Sequence, residues 1–171
     1  MRKKSQQKGF TLIELLLYIA VSTMILLVLT FFLFSLLQSR IKNQTIAEVE
    51  QQGLQVMQAI TQIVRNADTI NSPAVGTSSA SLSLNTYTAL NNPTVLDLTG
   101  GLARIQEGGT TAVPLTNGRV IVSGITFQNL SRASTPGVVR IQFTVTHVNT
   151  VGRNEYNFSK TFYGSASLRQ P

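Results

Sequence analysis

The chain has no cysteine, a single histidine and only seven acidic residues in 171. Without thiols there is neither a disulfide framework nor a thiolate metal site, so stability must come from packing. One histidine and seven scattered acids are a poor inventory for acid–base or nucleophilic catalysis, and no cofactor is expected. No proline precedes Pro73, and no charged side chain occurs between residues 15 and 39. Nothing in the first 72 residues therefore compels a break in a helix. Acid is also missing before Glu14, whereas Arg2, Lys3, Lys4 and Lys8 stand there.

What is present is unevenly spread. At 43% hydrophobic, the chain has enough apolar content for one ordinary domain with an attached segment. Residues 10–37 are almost wholly apolar, while the rest is rich in Thr, Ser, Asn, Gln and Gly. The formal charge is +7, but four of the fourteen basic residues lie in the first eight positions. The remainder carries only about +3, which is a weak signal for a polyanion partner.

Residues 15–39 form an uncharged run that, as a helix, covers about 37 Å, more than a hydrocarbon core of about 30 Å. It is too long for the apolar region of a cleaved secretory signal, and QSRIKNQ after it offers no small-residue cleavage site. The basic cluster before the run predicts an N-terminus held in the cytoplasm and a C-terminal mass that crosses. Beyond the run, Ile46, Val49, Gly53, Val56, Met57, Ile60, Ile63, Val64 and Ala67 share one stripe at three-four spacing, so the helix is predicted to continue and turn amphipathic. Asn66, Asp68, Asn71, Ser72 and Pro73 supply its stop.

After Pro73 the period changes to two. SLSLNTYT (81–88), TVLDL (94–98), GLARIQ (101–106), RVIVSGITFQNL (119–130), VVRIQFTVTHV (138–148) and EYNFSKTFY (155–163) read as strands separated by Gly, Pro and Asn turns. The clearest places Val139, Ile141, Phe143 and Val145 on one face and Arg140, Gln142, Thr144 and Thr146 on the other. A slip of phase between Val122 and Ile125 predicts a bulge at Gly124. The expected fold is α+β: a long N-terminal helix, spanning in its first half and amphipathic in its second, packed on an antiparallel sheet of four to six strands. The expected segments are a leader (1–9), a spanning helix (10–39), an amphipathic helix (40–72) and an extracytoplasmic sheet domain (73–171).

A basic leader, Gly9, then Phe10-Thr11-Leu12-Ile13-Glu14 and an apolar helix resembles the class III signal of type IV prepilins and type II secretion pseudopilins, most closely in KGFTLIELLL. The resemblance implies that a prepilin peptidase and methyltransferase cuts between Gly9 and Phe10 and methylates the new Phe10 amine. It also implies that Glu14 meets the Phe10 amine of a neighbouring subunit during assembly. Implied partners are sister pilin subunits, packed helix to helix, and an inner-membrane assembly platform. The implied localisation is a single-pass inner-membrane protein that enters an extracellular or periplasmic filament. Many major pilins carry a proline in the membrane half of the helix and a C-terminal cysteine pair, both missing here. With IVRNAD closing the helix, the chain looks more like J-type or W-type minor pilins.

Elementary physics agrees with these roles. A glycine before the scissile bond lets extended backbone enter a protease cleft. An ionised carboxylate within a bilayer costs a few kcal/mol or more at the centre, so it faces a partner or a polar cavity. A cationic amine from another chain offsets that cost in weakly screened surroundings. The simpler alternative is a Glu14 that snorkels to the interface of an ordinary signal anchor.

Other chemistries have less behind them. His147 ends the clearest strand in its inward phase, where a capped histidine is the ordinary reading. Glu48 and Glu50 point different ways on a helix, and Asp97, Glu107 and Glu155 stand alone, so no calcium or other metal site is expected. DNA is carried as a candidate partner on Arg119, Arg132, Arg140, Arg153 and Lys160, although scattered cations without interleaved aromatics are the usual dress of a solvated sheet face. The expectation is thus a structural subunit of a type IV pilus, competence pilus or secretion pseudopilus and not an enzyme. The rival is a signal-anchored extracytoplasmic binding module that never enters a filament.

Overall fold

The structure, a computed structural model, describes residues 9–169. Residues 1–8 of the expected leader, including Arg2, Lys3, Lys4 and Lys8, lie outside the described residues. The chain divides into two compact units, residues 1–40 and 41–171.

One helix, α1, runs from Leu12 to Arg65. Its part in the first unit exposes every large apolar side chain, from Leu12 through Leu37. Such a surface is costly in water and natural in lipid or against other helices, and α1 is long and apolar enough to cross a membrane. In the second unit the same helix buries Thr45, Val49, Gly53, Val56, Ile60 and Val64. Their spacing of three and four keeps them on one face, while Gln51, Gln55 and Gln58 remain exposed.

Among the described residues nine strands follow, all paired antiparallel. They are β1 (Ala67–Ser72), β2 (Ser78–Ser79), β3 (Leu82–Thr86), β4 (Thr94–Thr99), β5 (Leu102–Glu107), β6 (Val113–Pro114), β7 (Val120–Asn129), β8 (Val138–His147) and β9 (Ser159–Ser167). They form two sheets where the sequence suggested one: β1-β3-β4-β5-β6 and β2-β7-β8-β9. Alternation tells which face of a strand is apolar but not which strand lies beside it. Both sheets turn their apolar faces to one core. Leu82, Leu84, Leu96 and Ala103 come from the first sheet, Val122, Phe127, Ile141 and Phe143 from the second, and Val49, Val56, Ile60 and Val64 from α1.

Two features read from sequence stand as expected. Val139, Ile141, Phe143 and Val145 are buried while Arg140 and Gln142 are exposed. The register of β7 on β8 shifts between Ser123 and Thr126, where Gly124 takes φ +60°, a conformation that favours glycine.

Two boundaries differ from the reading. The amphipathic helix ends at Arg65 and not at 72, because residues 67–72 become an edge strand on β3, aligning Ile70 with Leu84. Of its residues only Ala67 is buried, so Asp68, Asn71 and Ser72 read as a helix stop alone. In the last strand, residues 154–156 make a single turn and β9 begins at Ser159. Asparagine chemistry explains the shift: Asn149 Nδ2 donates to the Arg153 carbonyl at 2.9 Å and to Asn157 Oδ1 at 2.6 Å, while its Oδ1 accepts from Gly152 N at 2.8 Å. Strands β2 and β6 have two residues each, too short for any period to show.

At Gly53 α1 comes close against the second sheet, and an added Cβ there would run into the Phe162 ring. That ring is buried and stacked on Phe143 at 5.5 Å, so it has little room to yield. Alanine is the better helix former by about 1 kcal/mol, whereas overpacking costs about 1–3 kcal/mol. Gly53→Ala should therefore lower the melting temperature of the detergent-solubilised chain, and adding Phe162→Leu should recover part of the loss. A higher melting temperature for Gly53→Ala alone would show that the contact is not tight.

Candidate processing and assembly site

The N-terminal site is built by the start of α1. Gly9, Phe10 and Thr11 precede the helix, and all three are exposed. Thr11 is its cap. The Thr11 carbonyl accepts from Leu15 N and Glu14 N, both at 3.1 Å, and its Oγ1 lies 3.4 Å from Glu14 N, which donates toward it. Thr11-Leu12-Ile13-Glu14 thus has the S/T-x-x-E form of a capping box, with Glu14 at the third helical position. An acid there also suits the positive end of the helix dipole.

The Glu14 side chain does not close the box. Its Oε1 accepts from the Tyr18 hydroxyl at 3.4 Å, one turn on. The Tyr18 ring in turn meets Phe10 edge-on, with centroids 6.1 Å apart at 72°. Phe10, Glu14 and Tyr18 therefore form one cluster, in which Glu14 is half-buried although its neighbours along the helix are exposed. Tyr18 was missed in the sequence reading, yet its spacing of four from Glu14 and eight from Phe10 could have found it. Chemically, the cluster offers a carboxylate with one weak neutral donor, four residues on from Phe10. Its remaining acceptor capacity suits a cation.

The second unit does not gather the five candidate nucleic-acid cations into one patch. Lys160 stands opposite Val145, in the inward phase, and donates to Glu50 on α1 at 2.6 Å. Arg119 lies 3.7 Å from Glu48, and Arg153 Nη2 donates to Glu155 at 3.0 Å. That hydrogen bond holds the Glu155 carboxyl below the usual carboxylate range. Among the described residues, no ion pair involves Arg132 or Arg140. Arg140 projects from the outer face of β8 between Gln128 and Ser165. An aromatic residue does share that face, against the sequence reading: exposed Tyr163 stands opposite Gln142, on the diagonal from Arg140.

His147 has an acidic neighbour that sequence spacing hid. Glu48 Oε2 on α1 lies 3.6 Å from its Nε2, and Tyr156 stacks on its ring at 5.7 Å. Asp97 is likewise not isolated, because the register of β4 on β5 brings Arg104 across it in a two-point contact at 3.0 and 2.7 Å. Among the described residues, no group of three or more His, Asp or Glu side chains is placed to hold a metal ion.

Loss of an N-terminal cap costs about 1 kcal/mol, or roughly a fivefold change in local opening. Thr11→Val should accordingly speed amide exchange at residues 12–15 in micelles, leaving residues 56–64 unchanged. Unaltered exchange at 12–15 would show that Thr11 does not hold the helix start.

No curated protein and no solved structure matches the chain. Residues 4–30, however, match the model of the prokaryotic N-terminal methylation motif, a stretch that contains Gly9, Phe10 and Glu14. The chain therefore carries a type IV prepilin-like class III signal at the head of its long helix.

Proposed function

We propose that this chain is a structural subunit, of minor-pilin or pseudopilin type, of a type IV pilus, a competence pilus or a type II secretion pseudopilus. The observation that carries the reading is the methylation motif at residues 4–30 leading into a helix that exposes its whole apolar surface through Leu37. A soluble domain would have covered that surface. Lipid covers it first, and sister helices cover it in a filament. The minor-pilin assignment rests on the missing proline and cysteine pair and on IVRNAD closing the helix.

In this reading a prepilin peptidase cleaves after Gly9 and methylates Phe10, with the N-terminus cytoplasmic and the sheet unit on the other side. Cleavage creates a cationic amine where there was a peptide bond. Glu14 of one subunit then receives the Phe10 amine of the next. Exchange of lipid for protein around an apolar helix gives little net hydrophobic gain, so packing and this ion pair must set register. The subunit has no chemistry of its own. The inner-membrane assembly platform and sister pilins are its partners.

The alternative, an anchored binding module, gives Glu14 only its place in the cap. Protein recovered from cells with active prepilin peptidase should begin at Phe10 and carry one extra methyl group by mass spectrometry, and Gly9→Val should leave the leader attached. An intact residue 1–9 segment on the unaltered chain would end the pilin reading. Glu14→Ala should insert and be cleaved normally but fall about tenfold or more in sheared filaments, the effect of losing 1.4 kcal/mol of pairing. Incorporation at the unaltered level would confine Glu14 to the helix cap.

A further inference from the structure

We infer that the end of the sheet unit built around helix residues 41–48 is a contact surface for anionic phospholipid headgroups. The inference rests on the membrane-anchored reading above. Residues 41–48 follow the apolar run directly. They stand two to nine residues beyond Ser39, the end of the uncharged run, so the connecting chain limits how far they can lie from the membrane surface. This bound comes from the chain itself.

The long β8–β9 connection closes on the same stretch. Lys42 Nζ donates to the Asn157 carbonyl at 2.7 Å and lies 5.8 Å from the Phe158 ring centroid. Ile41, Thr45, Arg119, Val148, Val151 and Tyr156 line a cleft of about 450 Å³ there. Arg119 lines the cleft, and Arg153 stands two residues beyond Val151 in the same connection; each is set over a more covered carboxylate. The Arg119 side chain is 76% exposed against 23% for Glu48, and Arg153 47% against 16% for Glu155. The acids are turned in and the guanidinium groups out, so the surface presented to solvent is basic although the pairs are neutral. Val151, 69% exposed beside Gly152, supplies an apolar tip at the cleft.

Guanidinium groups bind phosphate in a two-point fork, and an apolar tip beside cations suits the boundary of headgroups and acyl chains. Each such contact is weak by itself. The spanning helix makes the encounter intramolecular, and a high effective concentration lets weak contacts persist. A sister subunit or a soluble acidic protein has no comparable tether to this end before assembly.

The chain has no cysteine, so Val151→Cys and Leu90→Cys each give one labelling site. Leu90 is 88% exposed and lies outside the cleft. The full chain, carrying an environment-sensitive dye at either site, is reconstituted into vesicles of phosphatidylcholine alone or with phosphatidylglycerol, each containing a headgroup spin-labelled quencher. Quenching at 151 should exceed that at 90 with phosphatidylglycerol, weaken with added salt, and drop in Arg119→Gln and in Arg153→Gln. Each loss should lower the bound-to-free ratio about fivefold. Arg119→Lys with Arg153→Lys should keep the signal, which separates lost charge from lost fold. Equal quenching at 151 and 90, or equal quenching with and without phosphatidylglycerol, overturns the inference while anchoring stands. A signal at 151 that follows protein density and not lipid charge assigns the surface to a second copy and overturns it too. A chain extracted from the vesicles by alkaline carbonate refutes the anchored reading, and this inference with it.

Discussion

The contact on which the folded unit depends is the buried stripe of α1. Two sheets, each with one apolar face, need a common cover, and Val49, Gly53, Val56, Ile60 and Val64 supply it. Gly53 matters as much as the large residues, because its missing side chain lets the Phe162 ring lie against the helix. Around this core the polar pairs work at the rim. Lys160 on β9 reaches Glu50, and Arg119 and His147 both approach Glu48. These exposed and half-exposed pairs add little stability singly, but they mark where the strand ends meet the helix.

Before residue 40 the same helix follows a different rule. Its large side chains are exposed throughout, so its form comes from backbone hydrogen bonds and from the demand of an apolar solvent that every one be made. Thr23 and Thr30 turn their hydroxyls back to the carbonyls of Ala20 and Leu26 at 2.9 and 2.8 Å, which hides their polarity within the helix. Glu14 cannot hide in this way. The cap explains why an acid is tolerated at the helix start, and the Tyr18 hydroxyl gives its carboxylate one donor. Neither supplies a countercharge. A carboxylate with a neutral donor and spare acceptor capacity fits the proposed role of receiving a cation from another chain.

Much of the fold was legible because burial imposes periodicity. The stripe at three-four spacing, the alternation along β8 and the phase slip at Gly124 are direct imprints of one-sided packing. What escaped has no such imprint. Strand β1 buries only Ala67, β2 and β6 are two residues long, and the asparagine network at Asn149 moves the start of β9 by local chemistry. Lys160 with Glu50, Arg104 with Asp97, and His147 with Glu48 depend on register and on how the helix crosses the sheets. In the candidate site, Gly9, Phe10 and Glu14 were readable through their resemblance to a prepilin signal. The cap at Thr11 and the hydroxyl of Tyr18 were readable through helix spacing alone and were overlooked beside that stronger signal.

Central to the proposal is a charge pair that crosses from one subunit to the next. The direct measurement is zero-length carbodiimide cross-linking of filaments assembled from mixed ¹⁴N-labelled and ¹⁵N-labelled subunits, read by mass spectrometry of the peptides that contain Phe10 and Glu14. An amide joining the Phe10 amine of one isotope to the Glu14 carboxylate of the other is the expected product. Filaments that assemble and cross-link elsewhere, but yield this amide only within a single isotope or not at all, would contradict the pairing.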